Sequence, residues 1–122
     1  MNRSETGALG EKIAADYLVA RGYAIRERNF RTREGEIDII ADRDGSLVFV
    51  EVRTRRSRTC GTPEESITQR KKERMVSLAE AYMEGHDDMP QSWRIDVVAL
   101  ELDANGKTSR IEHIENVTDW GM

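Results

Sequence analysis

Residues 35–53 constrain this chain more than any other stretch. Gly35-Glu36-Ile37-Asp38-Ile39-Ile40-Ala41 and Leu47-Val48-Phe49-Val50-Glu51-Val52-Arg53 are two runs rich in β-branched residues, with Asp44-Gly45 between them. Asp-Gly is a favoured pair for a two-residue type I′ hairpin, and such a turn fixes the register of the strands it joins. In that register Asp38 lies opposite Glu51, and Glu36 opposite Arg53. Side chains alternate along a strand, so these four charges emerge together on one face. The other face takes Ile37, Ile39, Val48, Val50 and Val52 as core. Like charges facing across a ladder are destabilising by roughly 0.2–1 kcal/mol. A cation held between them reverses that sign, which marks the hairpin as the candidate site.

The rest of the chain supplies the layers such a hairpin needs. Residues 6–21 carry Leu9, Ile13, Tyr17 and Leu18 at helical spacing, with Gly22 as a stop. Residues 23–28 alternate as a short strand. Thr62-Pro63-Glu64-Glu65 has the form of a capping box, and Met75, Leu78, Ala79, Tyr82 and Met83 follow as the stripe of a long helix ended by Gly85. Gln69, Lys72 and Glu73 fall on its polar side. Residues 94–102 and 108–116 read as two further strands around an Asn105-Gly106 turn. The order α-β-β-β-α-β-β predicts a single-domain α/β sandwich over residues 1–122, its mixed central sheet flanked by two long helices.

Composition narrows the function classes. The chain has 122 residues, a net charge of −4 and one cysteine, Cys60. No disulfide forms within it, and no run has the length or apolarity of a signal peptide or membrane span, so a cytoplasmic protein without membrane partners is expected. Its charge is unevenly spread. Residues 53–74 hold eight basic residues against three acids, and Arg21, Arg26, Arg28, Arg31 and Arg33 form a second basic group. Basic residues beside the acidic face point to a nucleic acid, with Arg55, Arg56, Lys71 and Lys72 as the phosphate contacts.

Carboxylate oxygens suit hard divalent cations. Asp38 and Glu51 would hold Mg²⁺ or Mn²⁺, Glu11 on the first helix could add an oxygen, and Arg53 would stabilise charge developing on a phosphate. The competing structural account is a Glu36–Arg53 ion pair with Asp38 and Glu51 solvated. Cys60 has no histidine at a catalytic spacing. His86 and His113 show no zinc spacing and read as surface residues, while Trp93 and Trp120 read as closing the core edge. Asp96, among Ile95, Val97 and Val98, reads as a buried acid that supports the site.

The hairpin sequence resembles the signature of the YraN-like family of small bacterial proteins. The resemblance continues through Gly10-Glu11, Gly22-Tyr23, Arg28-Asn29-Phe30-Arg31, Gly61-Thr62-Pro63 and Ile95-Asp96-Val97-Val98. It implies a fold similar to restriction endonucleases and Holliday-junction resolvases, and a nuclease motif of aspartate followed by glutamate-x-lysine. Asp38 and Glu51 match the first two, and Glu11 matches a first-helix glutamate often near the metal. Arg53 stands where that motif has lysine. Arginine stays protonated and cannot accept a proton, so Lys71 or Lys72 would substitute. The implied function is a Mg²⁺- or Mn²⁺-dependent endonuclease hydrolysing phosphodiester bonds in structured DNA, with DNA ahead of RNA. The alternative is a non-catalytic nucleic-acid-binding module with a degenerate motif. Nothing in the sequence decides between a monomer and a homodimer.

Overall fold

The computed structural model describes residues 1–57 and 61–119. Two α-helices, α1 (Arg3–Ala20) and α2 (Gln69–Glu84), cover a sheet of five strands: β1 (Ala24–Arg31), β2 (Glu36–Arg43), β3 (Ser46–Arg55), β4 (Ser92–Leu102) and β5 (Thr108–Ile114). The strands lie in chain order. Only β3 and β4 pair in parallel, and α2 makes the crossover between them. This is the mixed α/β sandwich that the order of elements predicts.

Both faces of the sheet are buried. Ile39, Ala41, Val48, Val50, Val98 and Leu100 pack with Ala14, Ala15 and Leu18 of α1. Ile40, Leu47, Phe49, Ile95 and Val97 pack with Met75, Leu78, Ala79 and Tyr82 of α2. Each fully buried chain of this size contributes about 1.5–3 kcal/mol, so two packed layers suffice for a domain with no staple. The α2 stripe is the one its spacing predicts. In α1 the sheet-facing residues are smaller than expected: Thr6, Gly10, Ala14, Ala15 and Leu18 are buried, and Leu9, Ile13 and Tyr17 flank them. A Cβ at Gly10 would collide with the Thr54 side chain, so glycine there lets α1 lie close on β3.

Two expected boundaries move. The first helix starts at Arg3, because Asn2 and Glu5 form a reciprocal capping box with bonds of 2.8 and 2.9 Å. The Thr62–Glu65 cap does form, with Thr62 Oγ1 donating to Glu65 Oε1 at 2.8 Å, but it opens only a 3₁₀ turn (Glu64–Ser66). Ile67 then returns to extended backbone, and Thr68 caps α2 separately by accepting from Lys71 N at 3.2 Å.

Candidate carboxylate and cation site

Pairing of β2 with β3 follows the register set by Asp44-Gly45: Arg43 meets Ser46, Ala41 meets Val48, and Ile39 meets Val50. The ladder stops there. Beyond Ile39 a side chain replaces the backbone partner, and Asp38 Oδ2 accepts a hydrogen bond from Val52 N at 2.8 Å. In β1, Asn29 adopts a left-handed conformation (φ 56°). Face assignment changes at the same level: Ile37 joins the α2 layer with Ile40, whereas Ile39 faces α1. The expected apolar face of Ile37, Ile39, Val48, Val50 and Val52 is therefore divided. Regular alternation cannot continue through a strand that leaves its partner.

This parting opens a gap at the end of the sheet that charged groups fill. Asp38 and Glu51 share a hydrogen bond between their carboxyls, which requires a proton on one of them. Burial, then the Glu51 charge, then that shared bond push the Asp38 carboxyl up to about 8. Close packing of α1 brings in Glu11. Oxygens of Glu11, Glu36 and Asp38 lie within 4.8 Å of one another. Ligand oxygens on one octahedral Mg²⁺ stand roughly 3–4 Å apart, so this cluster can close on such an ion with small side-chain rotations. Burial, followed by the charges of Asp38 and Glu36, also raises the Glu11 carboxyl.

Asn29 joins the site without a motif to announce it. With its amide nitrogen turned inward it donates to Glu11 Oε1 and to Glu36 Oε1, both at 2.7 Å. It thereby ties α1 to β2. The one signal in the sequence is an asparagine, tolerant of left-handed backbone, inside a strand. Glu36 does not pair with Arg53 as the competing account requires. Its ion pair is with Arg31, at 3.3 Å.

Arg53 instead lies 3.6 Å from Glu51 and donates through Nε to Ser66 Oγ at 2.9 Å. Ser66 belongs to the 3₁₀ turn, and its carbonyl accepts from Lys71 Nζ at 3.1 Å. One short turn thus orients two cations toward Glu51. Burial, and then the charge of Arg53, push the Lys71 ammonium down. Arg110 of β5 clamps the turn from outside, pairing with Glu64 and, at 2.8 Å, with Glu101. The Arg110 hydrogen bonds bring Glu64 down to about 2 against the opposing effect of burial.

The remaining basic residues divide. Arg53, Arg55 and Arg56 line a cleft of about 560 Å³ together with Arg3 at the start of α1. Arg56 also donates to the carbonyls of Met1 (3.3 Å) and Ala104 (2.8 Å). Lys72 is 9% exposed. It falls on the stripe of Met75 and Ala79, not on the polar side expected for it, because helical spacing aligns 72 with 75 and 79.

Asp96 is fully buried and makes its own network, bonded to Arg94 Nε (3.0 Å), His113 Nε2 (2.8 Å) and Asn116 N (3.0 Å). None of these partners belongs to the carboxylate cluster, so the expected support of the site is not seen among the described residues. His113 is not on the surface as expected. Its side chain is 8% exposed, because β5 turns it inward onto Asp96 and the rings of Tyr17 and Tyr23. His86 is exposed and stacks on Tyr82, and Trp93 packs against Phe49. Cys60, Arg58 and Trp120 lie outside the described residues. No described helix is long and apolar enough to cross a membrane.

Comparison with known proteins places the chain among relatives that match it over nearly their whole length. A protein of Roseiflexus castenholzii named "UPF0102 protein" is 48% identical over 114 residues, which is 92% of this chain and 91% of that protein. Proteins of the same name from Trichlorobacter lovleyi and Syntrophomonas wolfei are 48% and 45% identical, over 93% and 95% of this chain and 89% and 98% of theirs. The model of the uncharacterised protein family UPF0102 matches residues 10–100, the span from the Gly10 contact through the whole carboxylate cluster to β4. The chain belongs to uncharacterised protein family UPF0102.

Proposed function

We propose that this protein is a Mg²⁺- or Mn²⁺-dependent endonuclease that hydrolyses phosphodiester bonds in structured DNA. The resemblance of its hairpin motif to that of restriction endonucleases and Holliday-junction resolvases agrees with this reading. The observation that carries it is the convergence of Glu11, Asp38 and Glu51 at the end of the sheet, beside Arg53 and Lys71. Facing carboxylates that are this poorly compensated are the donor set a hard cation requires. A bound divalent cation supplies an activated water and neutralises charge on the phosphate.

The chain's own residues do the rest. Arg53, held by Ser66, presents its guanidinium to phosphate oxygens and stabilises the added charge of the transition state. Lys71 replaces the missing motif lysine: its ammonium is pushed down and exchanges a proton more readily than a guanidinium. Arg55 and Arg56 line the adjoining cleft and contact the phosphate backbone, and Lys72 adds positive charge from beneath.

A second reading, a nucleic-acid-binding module that does not cut, is favoured by Arg53 itself, which cannot accept a proton and is occupied by Glu51 and Ser66. The deciding experiment is a cleavage panel of junction, flap, duplex and single-stranded DNA, with RNA counterparts, in Mg²⁺ or Mn²⁺. Metal-dependent cutting that Asp38→Asn abolishes supports the enzyme. Salt-sensitive binding without cutting, in the wild type and in both Arg53→Lys and Lys71→Ala, establishes the binding module.

A further inference from the structure

On the α1 side of the sheet, away from the carboxylate cluster, a cleft of about 490 Å³ is lined by Tyr17, Arg21, Tyr23, Arg43, His113 and Glu115. Its floor is the Asp96 network. Asp96 Oδ2 fixes the His113 ring through Nε2 at 2.8 Å. No described residue bonds the other ring nitrogen, Nδ1. No side-chain nitrogen or oxygen among the described residues is both buried and unpartnered, so Nδ1 opens to the cleft. A side chain more than nine-tenths buried thus presents one free polar atom to a cavity.

The walls are cationic. The Arg21 guanidinium lies 3.9 Å over the Tyr17 ring, and its N–H groups meet no described acceptor. Arg43 lies 5.0 Å over the Tyr23 ring and uses two N–H positions on Asp44 and the Arg21 carbonyl. Arg94, below, is shared by Asp96, the Tyr23 hydroxyl at 2.8 Å and Glu115 at 3.5 Å.

Asp96, His113 and Glu115 bring ligand atoms within 4.8 Å of each other, as a metal site would. The charge argues otherwise. Asp96 is already saturated by Arg94, His113 and Asn116 N, and a cation there would face three guanidinium groups. An anion would meet donors from α1, β2 and β5 converging from three sides. One guanidinium satisfies the two oxygens of a carboxylate, whereas a tetrahedral oxyanion can use all three donors. The cleft also has room for more than the anion alone, within the range of about 300–1,000 Å³ common for small-molecule sites.

We propose that this cleft binds the phosphate group of a small phosphomonoester, held by His113 Nδ1, Arg21 and Arg43. The site is independent of the endonuclease reading. Its test is NMR of the ¹⁵N-labelled full chain, titrated with 5′-AMP, inorganic phosphate and adenosine. The expected result is that 5′-AMP shifts the His113 ring nitrogens and the Arg21 side chain with one dissociation constant below about 1 mM. Arg21→Ala should weaken that binding at least about tenfold with the rest of the spectrum unchanged. Inorganic phosphate shifting the same nuclei more weakly assigns recognition to the phosphate of a larger ligand. Equal affinity for both confirms the phosphate site and names free phosphate as its ligand. No response at His113, an undiminished response in Arg21→Ala, or equal shifts from adenosine would overturn the proposal. So would Mn²⁺ broadening His113 while phosphate leaves it unmoved.

Discussion

Asp38 and Asp96 both sit among aliphatic residues on inner strands, and their surroundings differ in sign. Asp96 has no exposure, and burial pushes its carboxyl up. Hydrogen bonds from His113, Arg94 and Asn116 N outweigh that and hold it below its ordinary value. Asp38 receives one backbone N–H from Val52, faces Glu51, Glu36 and Glu11, and rises to about 8. One aspartate is a completed part of the fold. The other lacks positive charge, and a fold that tolerates such a deficit leaves room for a ligand to supply it. The difference is one of partners and not of burial, because both carboxyls are desolvated.

The comparison breaks most readily at the satisfied residue. Asp96→Ala removes the counter-charge of Arg94 and the partner of His113, and should cost about 3–5 kcal/mol in denaturant unfolding. A loss below 1 kcal/mol would mean that Asp96 is not a keystone of the fold. Asp38→Asn should act in the opposite direction. Without metal it removes one of two opposed carboxyls and should stabilise the protein by about 1–3 kcal/mol at alkaline pH. The sign follows from linkage: a carboxyl raised above its unfolded value keeps its proton in the folded state. Stability therefore falls as pH rises from about 4 toward 8. Asp38→Asn should flatten that slope, and Mn²⁺ should raise the melting temperature of the wild type but not of the variant. Equal metal effects on both would remove Asp38 from the cation site.

A smaller effect sharpens the role of the turn beside the site. Arg110 brings Glu64 down to about 2, so the stability from this pair is present above about pH 4.5 and lost as pH falls toward 2. Partly exposed pairs are screened, and Glu64→Gln should cost about 1 kcal/mol at pH 7 and nothing at pH 2. The smallest expected change concerns binding to the phosphate backbone. Arg55→Ala should lower the salt slope of duplex binding by about 0.9, the value for a single phosphate. Lys72→Ala, at a buried position, should alter stability more than slope.

Much of the frame could be read directly. Asp44-Gly45 set the hairpin register, the spacing of Met75, Leu78, Ala79 and Tyr82 defined the packed face of α2, and the order of elements implied the mixed sandwich. These depend on turn chemistry and on period, which act within a few residues. The proximity of Asp38 and Glu51 belongs to the same class, because a short turn joins their strands.

What the sequence could not determine lies where distant segments meet. It offered no local reason for the ladder to stop at Ile39–Val50, for Asn29 to reach both Glu11 and Glu36, or for Ser66 to hold Arg53 and Lys71. His113 looked like a surface residue because its alternating strand is polar, yet α1 and the Tyr23 segment enclose it against Asp96. By itself, the sequence determined the strands, the helices and the pair of facing carboxylates. Only the tertiary structure decided which charges were compensated. That outcome depends on which layers press together, and contacts between residues far apart in the chain leave no local pattern.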